Sequence, residues 1–187
     1  ASINFGNVDG WLTRTYKSSI HYLYTFPAQL LLALFTIFSI IIFISGFNHQ
    51  VEMLNLTKHS GWLVFFAISI AMATIIPHEL AHAYTTKAFG RKIKSFGVGW
   101  FWVGPMAFCD TSDMWLSTKW PRVAVDLSGL YMDLISGGVL ATIAYFAPNS
   151  TVSLFFWLAA LFNYLSIITN LAPTIELDGY YTLMDLF

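Results

Sequence analysis

"GWLVFFAISIAMATIIPHELAHAYTTKAF", residues 61 to 89, decides how this chain folds. Its first half carries no charge, and the whole stretch exceeds the roughly 20 residues that an α-helix needs to cross a hydrocarbon core. Near its end stand His78, Glu79 and His82, with Pro77 just before them. Residues four apart share a helix face, so His78 and His82 can chelate one ion, while Glu79, offset by about 100°, flanks it. Ionisable groups inside an apolar span are costly and mark function by default. The rest of the sequence has to accommodate a helix that spans a bilayer and also carries a chelating pair.

The composition agrees with a bilayer. Of the 187 residues 57% are apolar and only 10% charged, against about 45–50% and about 25% in soluble domains. Aromatics reach 18%, and Trp11, Tyr22, Tyr24, Trp62, Trp115 and Trp120 fall where interfacial belts are expected. The net charge of −1 identifies no partner, and no nucleic-acid partner is expected. A lone cysteine, Cys109, excludes an internal disulfide framework. The chain has no initiator Met and stops where a further helix begins, so a processed chain or a piece of a longer one is expected. The first long apolar run is too long and too late to read as a cleaved leader.

Four runs are long enough to span: 28–47, 61 to about 89, about 124–147 and about 151–171. Ahead of them Leu12, Tyr16, Ile20, Leu23 and Tyr24 recur at helical spacing, which predicts an amphipathic helix on the membrane surface. The expected organisation is thus an interfacial segment at 1–27 and a membrane-embedded core at 28–187. Six basic residues (Lys87, Arg91, Lys92, Lys94, Lys119, Arg122) lie around the loop between the second and third spans, and the link between the third and fourth has none. By the positive-inside rule that loop faces the cytoplasm, as do the amino terminus and the region near 172–178. Only Lys58 lies between the first two spans. The stretch "KIKSFGVGWFWVGPMAFCD", 92–110, mixes strand formers with glycines. It reads either as a β-hairpin or re-entrant loop, or as an interfacial loop stapled by Trp100, Phe101 and Trp102. The fold class is an all-α polytopic membrane protein, a bundle of four or more spanning helices with this short insertion after the His-Glu-x-x-His helix.

Two readings of that helix compete. In one, His78 and His82 bind a catalytic zinc and Glu79 serves as general base. In the other, the histidines reach for headgroup water and Glu79 pairs with Lys87 or Arg91. Pro77, which kinks a helix and frees a carbonyl, fits either. A tetrahedral zinc wants a third protein ligand and an open position. His21, His49 and His59 lie in surface or opposite-side segments, and Cys109 is a lone loop cysteine. The remaining candidate stands in "TNLAPTIELDGYY", 169–181, where Pro173 stops the helix, Gly179 permits close backbone approach, and Asp178 reaches the depth of the histidines. Asp178 reads equally as a helix-capping aspartate.

Together these motifs resemble the site-2 protease family of intramembrane zinc metalloproteases. The resemblance covers about residues 61–187 and rests on "HELAH" at 78–82 and on Asn170-x-x-Pro173-x-x-x-x-Asp178-Gly179. It implies that His78, His82 and Asp178 are the zinc ligands, that Glu79 is the catalytic base, and that Asn170 holds the substrate or intermediate near the metal. "FCDTSDMW", "KWPRVAVDLSGLYMDL" and "NLAPTIELDGYYTLMDLF" are similar to the bacterial peptide zinc metalloprotease branch. That branch implies a multi-pass protein of the bacterial cytoplasmic membrane, its site toward the cytoplasm, cutting a membrane protein or membrane-associated peptide. The chain departs from the family in the third span. Ser128-Gly129-Leu130 stand where Ala-Gly-Pro is common, and Asp133 stands where an asparagine is common. Asp133 reads as a second polar contact to the site or as a protonated carboxyl bonded to a neighbouring helix. Gly129 and Gly137 share a face and allow tight packing, and Asn163 and Ser166 share a face with Asn170.

Two other function classes are weighed. A di-iron oxygenase or desaturase needs many more histidines than the two placed here. A catalytically silent metal-binding module that binds exported peptides or partner proteins would have no use for the intact Glu79.

Overall fold

A computed structural model describes residues 2–5, 8–57, 60–101, 104–174 and 176–187. In chain order its elements are β1 (Ser2–Phe5), α1 (Val8–Ser18), α2 (Phe26–Ser45), α3 (Phe47–Leu56), α4 (Ser60–Ala73), α5 (Ile75–Ala88), β2 (Phe96–Phe101), β3 (Gly104–Cys109), α6 (Lys119–Phe146), α7 (Ser150–Asn170) and α8 (Asp178–Leu186). Short 3-10 turns occupy Ile20–Tyr24 and Ser112–Leu116. Four stretches are long and apolar enough to cross a membrane: 26–45, 61–88, 119–146 and 150–170. This is an all-α polytopic membrane fold with one small antiparallel sheet.

The chain forms two compact units. One comprises Leu30–Thr74 and Asp133–Thr169, and its helices are arranged as lipid requires. α2 buries Thr36 and Ser39 and exposes Leu31, Leu34, Phe38 and Ile41, the reverse of a helix in water. Polar groups must find partners inside when the surroundings offer none. Ser39 donates to the Thr36 carbonyl at 2.9 Å. The core gathers Ala67, Leu140, Ala144, Leu154, Trp157 and Leu158. Trp157 stacks on Phe43 at 5.0 Å between ring centroids and donates its indole N–H to the Phe43 carbonyl. Small residues permit this closeness, since a Cβ at Gly137 would stand 2.6 Å from Asn163 Oδ1 and one at Gly138 2.5 Å from Ser39 Oγ.

The second span is interrupted at Thr74. The sequence predicts a kink at Pro77, and the break comes three residues earlier for a steric reason. The proline ring clashes with the carbonyl four residues back, that of Ala73, and has no N–H to give. Starting α5 at Ile75 puts Pro77 in the first turn, where that N–H would have no partner anyway. Thr74 donates its backbone N–H and its hydroxyl to the Ala71 carbonyl, at 3.2 and 2.6 Å. The buried Asn163 amide donates to the Thr74 hydroxyl oxygen at 2.9 Å.

The other unit comprises Ala1–Gln29, Ile75–Met132 and Asn170–Phe187. Here α1 packs along α5. Leu12 is wholly buried against Ala83 and Ile93, while Tyr16 and Ile20 are half-buried and Leu23 is exposed. Asp9 accepts the Lys87 ammonium and the Ile93 N–H at 2.7 Å. The Thr15 and Tyr84 hydroxyls meet at 3.0 Å, as do those of Tyr24 and Thr85. Just past the end of α5 stands Gly90, whose φ of 72° suits glycine. The bond from Arg91 N–H to the Thr86 carbonyl completes a left-handed cap. β2 and β3 then form the hairpin, with Phe96 opposite Cys109 and Phe101 opposite Gly104. Trp102 lies outside the described residues. β1 adds to β2 antiparallel, giving the order β1-β2-β3. Nothing in the short stretch Ser2–Phe5 announces a third strand.

Truncating Leu12 to alanine opens a cavity beneath α1, and the expected loss is about 2–5 kcal/mol of stability, read as a lowered thermal midpoint in detergent. An unchanged midpoint would mean that α1 does not anchor on α5.

Candidate metal centre

α5 brings the imidazoles of His78 and His82 to one buried point, 6% and 7% exposed. Their Nε2 atoms are 3.1 Å apart. Asp178, the first residue of α8, sets its Oδ2 2.9 Å from His78 Nε2 and 3.4 Å from His82 Nε2. A tetrahedron with arms of 2.0–2.1 Å has edges of about 3.3 Å, so three donor atoms at these separations fit three corners around one metal ion. Glu79 lies on the same turn, its carboxylate within 4.8 Å of the histidine donor atoms. The backbone of Cys109, at the end of β3, reaches that carboxylate.

The donor chemistry also fits a cation. A carbonyl can only accept, so His82 Nδ1 must donate its proton to the Val125 carbonyl, 2.7 Å away. This fixes the tautomer and leaves Nε2 with a lone pair aimed at the other donors. Asp178 Oδ2 is buried and has no hydrogen-bond partner among the described residues, although it lies close to both rings.

Two glycines make the approach possible. A Cβ at Gly129 would stand 2.3 Å from His82 Nε2 and 2.5 Å from His78 Nε2. One at Gly179 would stand 2.6 Å from the Leu171 backbone, so this glycine lets α8 begin beside the end of α7 and bring in Asp178.

The competing sequence readings fare differently. Lys87 pairs with Asp9, and Arg91 donates to Ser117 Oγ and the Leu116 carbonyl. Glu79 is therefore not spent on either. Asp178 is not a cap, for Leu177 holds that position and no side-chain cap bond forms. Cys109 ends β3, and burial pushes its thiol pKa up. His21 Nδ1 contacts the Tyr16 carbonyl and His49 is exposed; His59 lies outside the described residues. Asn170 ends α7, half-buried. Asp133 is buried in α6. Sequence reasoning missed the Val125 carbonyl, which leaves no side-chain signature, and marked Gly129 for helix packing alone.

No family model matches the sequence, and no solved structure matches it. YydH of Bacillus subtilis (strain 168), provisionally named a peptide zinc metalloprotease, is 26% identical over 155 residues. The match covers 81% of this chain and 60% of YydH, so the chain spans about three fifths of the length of that relative. The similarity supports the bacterial peptide zinc metalloprotease branch to which the motifs point.

The Gly129→Ala variant should keep its fold while its affinity for a divalent ion falls by at least about tenfold, read by competition against a chelating dye. Undiminished affinity would mean that the imidazoles do not bind where they now converge.

Proposed function

We propose that the chain carries the core of an intramembrane zinc metalloprotease that hydrolyses a peptide bond in or near a membrane-spanning segment of a protein or a membrane-associated peptide. One observation carries the reading: two imidazole nitrogens of α5 and a carboxylate oxygen of α8 converge at tetrahedral spacing, with Glu79 on the same turn as the histidines. A structural cluster would have no need of a carboxylate at that place. His78, His82 and Asp178 would hold the ion. When bound, zinc supplies Lewis-acid polarisation of the scissile carbonyl and makes a neighbouring water more acidic.

Glu79 takes a proton from the attacking water as its oxygen bonds to the carbonyl carbon. It then delivers that proton to the amide nitrogen as the C–N bond breaks. The Cys109 backbone beside its carboxylate favours one orientation for both transfers. Asn170 is assigned to holding the substrate carbonyl from the end of α7. A helical substrate must unwind before attack, and a sheet edge beside the site offers the freed backbone an added-strand partner. The basic residues around the loop between the second and third spans favour a cytoplasmic-facing site in a bacterial cytoplasmic membrane.

In proteoliposomes loaded with a library of single-span peptides, Glu79→Gln should lower cleavage by at least about 10²-fold while retaining the metal. Asp178→Ala should lose the metal. Cleavage that survives Glu79→Gln would remove Glu79 from the role of base.

A further inference from the structure

A carbonyl that accepts the N–H of a ligating imidazole makes the ring's other nitrogen a stronger donor to the metal. For His82 that carbonyl belongs to Val125, 2.7 Å from Nδ1, and its oxygen is crowded. Ser128, three residues further along α6, donates its hydroxyl to the same oxygen at 2.6 Å. The helix itself commits this oxygen to the N–H of residue 129. A carbonyl oxygen has two lone pairs, so three donors share them and each is held less strongly than it would be alone. The hydroxyl belongs to Ser128-Gly129-Leu130, the stretch in which the third span departs from the resembled family.

Ser128 Oγ also lies 3.4 Å from His82 Nδ1. As a second acceptor for the ring N–H it would strengthen the pull on His82 instead of weakening it. The two lengths decide between these effects. A hydroxyl bond of 2.6 Å is at the short, strong end of its range, whereas 3.4 Å is past the ordinary reach of N–H···O. Sharing of the carbonyl therefore outweighs the added acceptor. We propose that Ser128 is a positioning residue that tempers the donor strength of His82 by occupying the Val125 carbonyl. An ion facing a weaker donor keeps more of its positive charge for polarising a carbonyl or a water, and it is held less tightly. The inference rests on the reading of His78, His82 and Asp178 as metal ligands, and adds to it a group that touches none of the reacting atoms.

The test compares the full chain in detergent micelles with Ser128→Ala and Ser128→Thr. Zinc alone is titrated against a chelating dye, and the proton on His82 Nδ1 is followed by NMR of the zinc-free chain carrying isotope-labelled histidine. In Ser128→Ala the zinc dissociation constant should fall by about tenfold, the low end of the effect of such partners, and the Nδ1 proton should move downfield as its bond to Val125 strengthens. Ser128→Thr keeps a hydroxyl that can reach back along the helix, so its affinity should stay within about twofold of wild type. A purely structural role for the hydroxyl would lower the thermal midpoint of Ser128→Ala and move neither readout in these directions. Zinc bound equally or more weakly by Ser128→Ala, or a Nδ1 proton that stays or moves upfield, overturns the proposal. Those results in a chain that binds zinc would leave the metal reading intact. A wild-type chain that binds no zinc would sink that reading and this proposal with it.

Discussion

Two acceptor atoms, His82 Nε2 and Asp178 Oδ2, brought together away from bulk water are an unstable arrangement. His82 spends its one N–H on the Val125 carbonyl, so its Nε2 faces His78 Nε2 and Asp178 Oδ2 with a lone pair. Such groups repel unless a cation or a proton lies between them, and a low effective dielectric magnifies the cost. Much of the unit that holds them can be read as the means of keeping them together. Gly129 removes the side chain that would part the imidazoles, Gly179 lets α8 start beside Leu171, and α1 buttresses the far end of α5 through Leu12 and Asp9.

The surrounding architecture follows from the solvent. In a bilayer the apolar face of a helix gains little by turning inward, so small and polar residues take buried places that they seldom hold in water. Thr36, Ser39, Asn163 and the paired glycines 137 and 138 accordingly face in, and the large apolar side chains of α2 face out. The same rule explains the break at Thr74. A helix interrupted in lipid must satisfy its freed groups locally, and Thr74, Ala71 and Asn163 do so among themselves.

Much of this was legible in the sequence because its signals are one-dimensional. Span length is a count of apolar residues, and the chelating pair is a fixed spacing on one helix, so the four spans and the juxtaposition of His78 with His82 could be read directly. The glycine-rich stretch after α5 allowed a hairpin, and a hairpin forms. Asp178 was harder. Its distance in sequence from the histidines carries no geometry, and only the motif around it distinguished it from a cap. What escaped was relational. A backbone carbonyl such as that of Val125 has no residue type, and the partner of β1 lies far along the chain. The burial of Leu12 against α5 looks, by periodicity, the same as burial in a membrane surface.

The central claim is that one zinc ion is held by His78, His82 and Asp178. Its most direct test is zinc-edge X-ray absorption of the purified chain beside His82→Ala. The account predicts one equivalent of zinc in the wild type, with nitrogen and oxygen neighbours at about 2.0–2.2 Å and two imidazoles among them, and loss of that signal in His82→Ala. A wild-type chain without zinc, or a sulfur neighbour at about 2.3 Å contributed by Cys109, would contradict it.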